Sequence, residues 1–359
     1  MSGVWGNNIK VSIFGESHGN AIGITIDGLP SGTELDLEKI DKEMARRAPG
    51  KSNLSTARKE KDAPEILSGF FEGKTTGTPL CGIIRNGDTR SKDYGKLKDL
   101  MRPGHADYTG NIRYSGFNDY RGGGHFSGRI TAPLVFAGAI CKQILEKEGI
   151  FIGAHVKSIK NISDKSFDYT NISKDLLEEL KKVELPLLDK GKEEEMRNII
   201  VEAKSNGDSV GGVIECAITG IKAGYGDPFF DSVESRLSHL LFSVPAVKGV
   251  EFGLGFEISQ LYGSEANDNF YYENKEVKTL TNNNGGILGG ITSGMPIIFK
   301  TAIKPTPSIS KNQKTINISS EQNEELVIEG RHDPCIVQRA LPVIEAVAAI
   351  GILDLIKER

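Results

Sequence analysis

Two stretches of this chain are apolar around their whole circumference, and they limit what it can fold into more than any other feature. RITAPLVFAGAICKQIL falls in a helix expected from about Ser127 to Lys147, stopped by Gly149, and RALPVIEAVAAIGILDLI in one expected from about Cys335 to Glu358. A surface helix carries an apolar stripe, whereas a helix with no polar face must be covered on all sides. No stretch reaches the ~18 uncharged residues that a bilayer span requires, so the cover has to be protein. Ala137, Gly138 and Ala139 in the first helix, and Ala346, Ala348, Ala349 and Gly351 in the second, allow neighbours to approach closely.

The cover is strand-like. Short apolar or alternating segments at 10–15, 21–27, 66–72, 80–85, 151–157, 210–218 and 296–303 are bounded by Gly, Pro, Asn and Asp, as strands between turns are. Asp36 is placed to cap a helix running to about Arg47, with Pro49 just beyond. Segments 174–184 and 193–204 read as charged amphipathic surface helices. Sheets enclosing buried helices make an α+β protein. No composition break or repeat divides the 359 residues, so one domain is expected.

The net charge of −4 argues against a protein that coats nucleic acid or anionic lipid. Cys81, Cys141, Cys216 and Cys335 are widely spaced with no CxxC pair, which favours buried reduced thiols. The opening MSGVWGNNIKVSIFG lacks the pattern of a signal peptide. A soluble, cytoplasmic protein with no membrane and no nucleic-acid partner is expected.

Glycine is in excess, 42 residues against a usual ~7%, and it gathers in loops that also hold His, Arg, Asp and Ser. Phe14–Gly19 contains Ser17 and His18. Arg46–Lys51, continuing to 58–62, is basic and suits a small polyanion, since guanidinium recognises phosphate and carboxylate in pairs of bonds. Residues 101–129 (MRPGHADYTGNIRYSGFNDYRGGGHFSGR) form a long loop without regular structure, whose Gly122–Gly124 run leads towards the first buried helix. Such a run can cradle phosphate at a helix N-terminus. NNNGGILGGITSG at 282–294, KPTPS at 304–308 and GRHDPC at 330–335 complete the set. Singly, each reads as a turn, a solvated charge run or, for Asp333, a helix cap. Together they describe an anion-binding enzyme with His and Asp available for proton transfer. No zinc-ligand spacing or GxSxG elbow is present.

GESHG, RRAPG, TARKEKDAPEILSGFFEGKTTGTPL, RPGHADYTG, DYRGGGHFSGR, FSVPAVKGVEFG, GGILGGITSGMPI, KPTPS and GRHDPC stand here in one order from Gly15 to Cys335. In that order they resemble the chorismate synthase family over essentially the whole chain. The resemblance implies a single domain over 1–359, a sandwich of β-sheets flanking a buried helical core, and a homotetramer. It implies conversion of 5-enolpyruvylshikimate 3-phosphate to chorismate with loss of phosphate. That reaction is an anti-1,4-elimination needing reduced FMN with no net redox change.

Carried onto this sequence, the family's roles make His18 the acid for the leaving phosphate. His105 is placed near the flavin, and Asp333 in proton removal, with Ser17 and Ser127 as hydrogen-bonding support. His125, Phe126, Ser127, Ala246, Gly289, Lys304, Pro305, Thr306, Pro307, Ser308 and Arg331 match flavin-contacting stretches. Arg46, Arg47, Arg58, Arg121 and Arg129 match positions for substrate anions or, at Arg47, for NADP. Asn53, His125-Phe126 and Pro245 depart from the commonest pattern. The change at Asn53 favours an enzyme supplied by an external flavin reductase over a bifunctional, NADPH-using form. The His and Asp set speaks against a non-catalytic anion-binding relative.

Overall fold

The computed structural model describes residues 3–50, 62–87, 98–328 and 332–358. The first sheet is antiparallel and contains β1 (Val4–Trp5), β2 (Lys10–Gly15), β3 (Ala21–Asp27), β4 (Pro64–Ser68) and β5 (Leu80–Arg85), in the order β1-β2-β3-β5-β4. The second, also antiparallel, contains β6 (Phe151–Ile159), β7 (Ile162–Ser163), β8 (Gly212–Thr219), β9 (Val247–Phe252) and β10 (Ile297–Ile303), ordered β9-β10-β8-β6-β7. The helices are α1 (Leu37–Arg47), α2 (Asp107–Arg113), α3 (Thr131–Lys147), α4 (Lys174–Leu180), α5 (Glu193–Ser205), α6 (Val233–Ser243), α7 (Gly263–Ala266) and α8 (Val337–Ile356).

The two fully apolar helices form the middle of a sandwich. Helix α3 packs on β3 and β5 of the first sheet, α8 packs on β6 and β8 of the second, and the two helices pack on each other. Residues 131–145 of α3 are buried without a break. The inward face of β3 presents Ile22, Ile24 and Ile26, all fully buried, as period-two alternation requires. Two glycines set the spacing. A Cβ on Gly138 would stand 2.2 Å from Cβ of Ala346, and one on Gly82 would stand 2.3 Å from the Phe136 ring. One contiguous apolar cluster runs from the first sheet through these helices to the second.

Charges inside this layer are paired. Glu345 of α8 accepts from Arg46 at 2.6 and 2.8 Å, from Lys142 at 2.5 Å and from the Ala154 backbone at 3.2 Å. Asp354 accepts the backbone N–H groups of Asn7, Asn8 and Ile9 at 3.1, 2.6 and 2.7 Å, and an Arg236 guanidinium. In the second sheet the His155 ring lies between Asp164 and Glu215, at 3.1 and 2.8 Å.

Several elements differ from the sequence expectation. The strand expected over 66–72 breaks at Gly69, whose positive φ turns the backbone hard against Leu80. Within 101–129 the chain forms α2 and short 3-10 turns where an unstructured loop is expected. Gly122–Gly124 do not feed α3, because three successive positive φ angles turn the chain and Ser127 then caps a separate turn at 128–130. Asp333 does not cap α8, which starts at Val337 without a side-chain cap. Neither α6 nor β9 is foreseen by the patterning above. The four cysteines are free thiols, with Cys141, Cys216 and Cys335 buried. Among the described residues, no helix is long and apolar enough to cross a membrane.

Candidate active site

The end of β2, the turns before α3 and the segment after β10 converge on the Gly122–Gly124 turn. Its φ angles of 60°, 83° and 53° lie in the left-handed region open to glycine. A Cβ on Gly122 would stand 2.1 Å from Cε1 of His18 and 2.9 Å from Oγ of Ser17. One on Gly123 would stand 3.2 Å from both Cε1 and Nε2 of His105. Two imidazoles from distant parts of the chain are thus seated on neighbouring glycines of one turn. Ser17 donates its backbone N–H to Gly124 O at 3.1 Å, and His125 Nδ1 lies 2.8 Å from Gly15 O, which ties the β2 loop to the turn. Ser17 and His18 are buried, and the Ser17 hydroxyl has no hydrogen-bond partner among the described residues.

His105 is held from its other edge. Asp107 Oδ1 lies 2.7 Å from its Nδ1, and Arg102 bonds Asp107 through Nε at 2.7 Å and Nη2 at 2.8 Å. Burial disfavours the Asp107 charge, but hydrogen bonds from Arg102 and His105 outweigh it and hold the carboxyl far below its ordinary range. Arg102 Nη1 also reaches Ser308 Oγ at 3.5 Å. Lys304 donates its ammonium to Gly104 O and its backbone N–H to Ala246 O, the latter at 2.9 Å. The run from Lys304 to Ser308, with Ala246 behind Lys304, therefore lies on the His105 side of the glycine turn. The Thr306 hydroxyl is buried with no partner among the described residues. Phe126 turns towards Gly110 and Tyr114.

On the other side, Asp62 receives both Arg47, at 2.5 Å, and Arg129. Arg47 also bonds Thr131 Oγ1 and Gly128 O, each at 3.2 Å, and Arg129 bonds Asn86 Oδ1 at 3.1 Å. Asn86 donates to Glu16 O and Gly19 O, so this cluster adjoins the His18 loop. Burial opposes the Asp62 charge, yet the two guanidiniums keep its carboxyl below the usual range. Burial pushes Arg47 down to about 10 against the pull of Asp62, with Arg339 and Arg129 adding to the fall, which leaves it charged at neutral pH. Arg339 of α8 bonds Arg47 O at 3.0 Å and pairs with Asp333, which brings Asp333 to the same cluster.

Two expected residues stand apart. Arg46 points into the helical layer towards Glu43 and Glu345. Gly289 lies in an exposed turn between the short strands Ile287–Leu288 and Ile291–Thr292, and a Cβ there would meet nothing described within 4 Å. Arg121 opens the glycine turn itself and is half-exposed on Asp119. Arg58 and Arg331 lie outside the described residues. Sequence reasoning passes over Asp62, Asn86, Arg102 and Arg339. Arg102 and Asp62 carried a signal, the first within MRPGHAD beside His105 and the second within TARKEKDAPEIL at the end of the basic loop.

Imidazoles seated on a glycine turn beside clustered guanidiniums are the equipment of an enzyme that moves protons on an anionic small molecule. The chorismate synthase family model matches residues 9–356. The chain is 46% identical to the chorismate synthase of Methanocaldococcus jannaschii, over 99% of this chain and 96% of that one. It is 47% identical to that of Pyrococcus abyssi, over 97% and 96%. A crystal structure of chorismate synthase superposes with a TM-score of 0.78 at 32% identity, covering 99% of this chain and 93% of that one. The chain belongs to the chorismate synthase family, and the sandwich around buried helices is that family's α+β fold.

Proposed function

We propose that this protein converts 5-enolpyruvylshikimate 3-phosphate to chorismate and phosphate by anti-1,4-elimination, with reduced FMN required and no net redox change. The C6–H and C3–O bonds break, one proton and one phosphate leave, and the ring's double bond becomes a conjugated pair. The observation that carries this reading is the seating of His18 and His105 on adjacent glycines beside the Arg47–Arg129–Arg339 cluster. His18 donates a proton to the departing phosphate. Asp333, held by Arg339, serves removal of the C6 hydrogen. Arg47, Arg129 and Arg121 offer positive charge to the substrate's phosphate and two carboxylates, a task for which Arg46 is turned the wrong way.

The described residues suit FMN. Thr306 Oγ1 and Ser17 Oγ are buried hydroxyls lacking a partner among the described residues, as expected where a ligand supplies the missing bond. Ala246, Lys304–Ser308 and His105 would hold the group, with Ser127, His125 and Phe126 beyond the glycine turn. Reduced FMN, when bound, supplies the electron-rich ring that this elimination needs. Its reducing equivalents come from a separate flavin reductase, a reading supported by the departure at Asn53 from the commonest pattern. The chain works as one cytoplasmic domain and assembles as a homotetramer, which would cover the exposed Phe229, Phe230, Phe256, Tyr262, Phe270 and Tyr272.

The test is anaerobic turnover with dithionite-reduced FMN, following chorismate and phosphate together. Equal release of both, absent without reduced flavin, is expected. Tight binding without turnover in folded protein would overturn the assignment. NADPH oxidation by the pure protein with FMN would overturn the external supply.

A further inference from the structure

We infer that Asp107, braced by Arg102, is a positioning residue that fixes the His105 proton on Nδ1 and presents Nε2 as the proton-exchanging atom in the cleft. The inference rests on the reading of His105 as a working residue. A carboxylate can only accept, and Asp107 Oδ1 stands 2.7 Å from His105 Nδ1, so the hydrogen of that short contact belongs to the ring nitrogen. The opposite tautomer would set a nitrogen lone pair against a carboxylate oxygen at that distance.

Arg102 Nη2 also lies 3.1 Å from Nδ1, which taken alone would make Nδ1 an acceptor. The shorter route decides it. That same Nη2 is 2.8 Å from Asp107 Oδ1, Arg102 Nε is 2.7 Å from Oδ2, and the Arg102 backbone N–H adds 3.2 Å to Oδ2. The guanidinium is thus engaged with the carboxylate, which is 8% exposed, and it keeps that carboxylate an acceptor. The far edge of the ring, Cε1 and Nε2, lies over Gly123, where the missing side chain leaves room. The order carboxylate, imidazole, reacting centre is the one that orients a general acid or base through its remote nitrogen.

The tautomer is read directly by long-range 1H–15N correlation on histidine-labelled protein, with the His105 signals assigned by their loss in His105→Gln. The wild type is expected to carry the Nδ1–H form. An Nε2–H form would overturn the inference, and this measurement carries no folding risk. In Asp107→Asn the amide faces two donors. It must turn its NH2 to the ring and drive the proton to Nε2, so the tautomer should switch and kcat fall about 100-fold with KM within about threefold. Asp107→Glu should keep the Nδ1–H form and recover part of the rate. An unchanged tautomer in folded Asp107→Asn would overturn the inference. A switched tautomer with wild-type kcat would uphold the positioning and bring down the role given to His105.

Discussion

In the helical layer, Glu345 is met by Arg46, Lys142 and the Ala154 backbone, and in the second sheet His155 ends on Asp164 and Glu215. At the candidate site, the hydroxyls of Ser17 and Thr306 are just as hidden and end on nothing among the described residues. Burying a polar group without a bond costs on the order of 1–3 kcal/mol, so a fold keeps it only where another requirement overrides stability. The first region closes its polar groups on one another and holds the sandwich together. The second leaves them open, as a surface shaped for a molecule outside the chain must. Burial alone therefore does not mark a polar group as functional here. A missing partner does so only beside other groups of the site, since Thr301 in the second sheet is also buried without a partner among the described residues.

The comparison breaks first at Glu345. Glu345→Ala leaves Arg46 and Lys142 to share Glu43 alone in the layer and should remove about 3–5 kcal/mol of stability in urea unfolding. A loss below about 1 kcal/mol would mean the pair is screened like a surface bridge. Next is Gly122→Ala, whose Cβ falls on the His18 ring at a φ of 60°. Displacing the ring should cut turnover about 100-fold while stability drops by about 1–3 kcal/mol. Near-normal turnover would show that His18 need not sit there.

A pH series on His155 sharpens the structural side. Burial opposes its charge, but the bonds to Asp164 and Glu215 win and raise its pKa above the ordinary value. A raised pKa contributes stability that is complete below the unfolded value, near 6.5, and fades as pH climbs through the folded one. The gap between wild type and His155→Gln should therefore narrow above about pH 6.5. A gap that widens with pH would refute the charged ring. The smallest effect belongs to Ser17→Ala. It removes a buried hydroxyl that has no partner among the described residues, so stability should hold or rise by about 1 kcal/mol while ligand binding, read by calorimetry, weakens. A clear loss of stability would move Ser17 into the structural class.

The elements that patterning names correctly are those whose signals are local. Asp36 caps α1 through the Lys39 N–H as its position suggests, and β2, β3 and β5 match their expected ends. The core placement of α3 follows from its lack of a polar face. The site is only partly local. Its histidines stand out because glycines flank them, but the partners that organise them lie far off in sequence, as Arg129 does from Asp62 and Arg339 from Arg47. One clue goes unused. Arg47 continues the buried stripe of Ile40 and Met44 on α1, a helical spacing that marks it, and not Arg46, as the arginine on that stripe.

The carboxylate of Asp354 closes on Asn7, Asn8 and Ile9 across as many as 347 positions of chain. The two sides of that clasp are made far apart along the chain, and it cannot close until α8 is present. Until then the first sheet's opening turn has no anchor, and the face that α8 covers on the second sheet stays wet. Such distant closure slows folding. The two sheets share a middle layer only once α8 lies against α3, so the sandwich cannot be complete before it does.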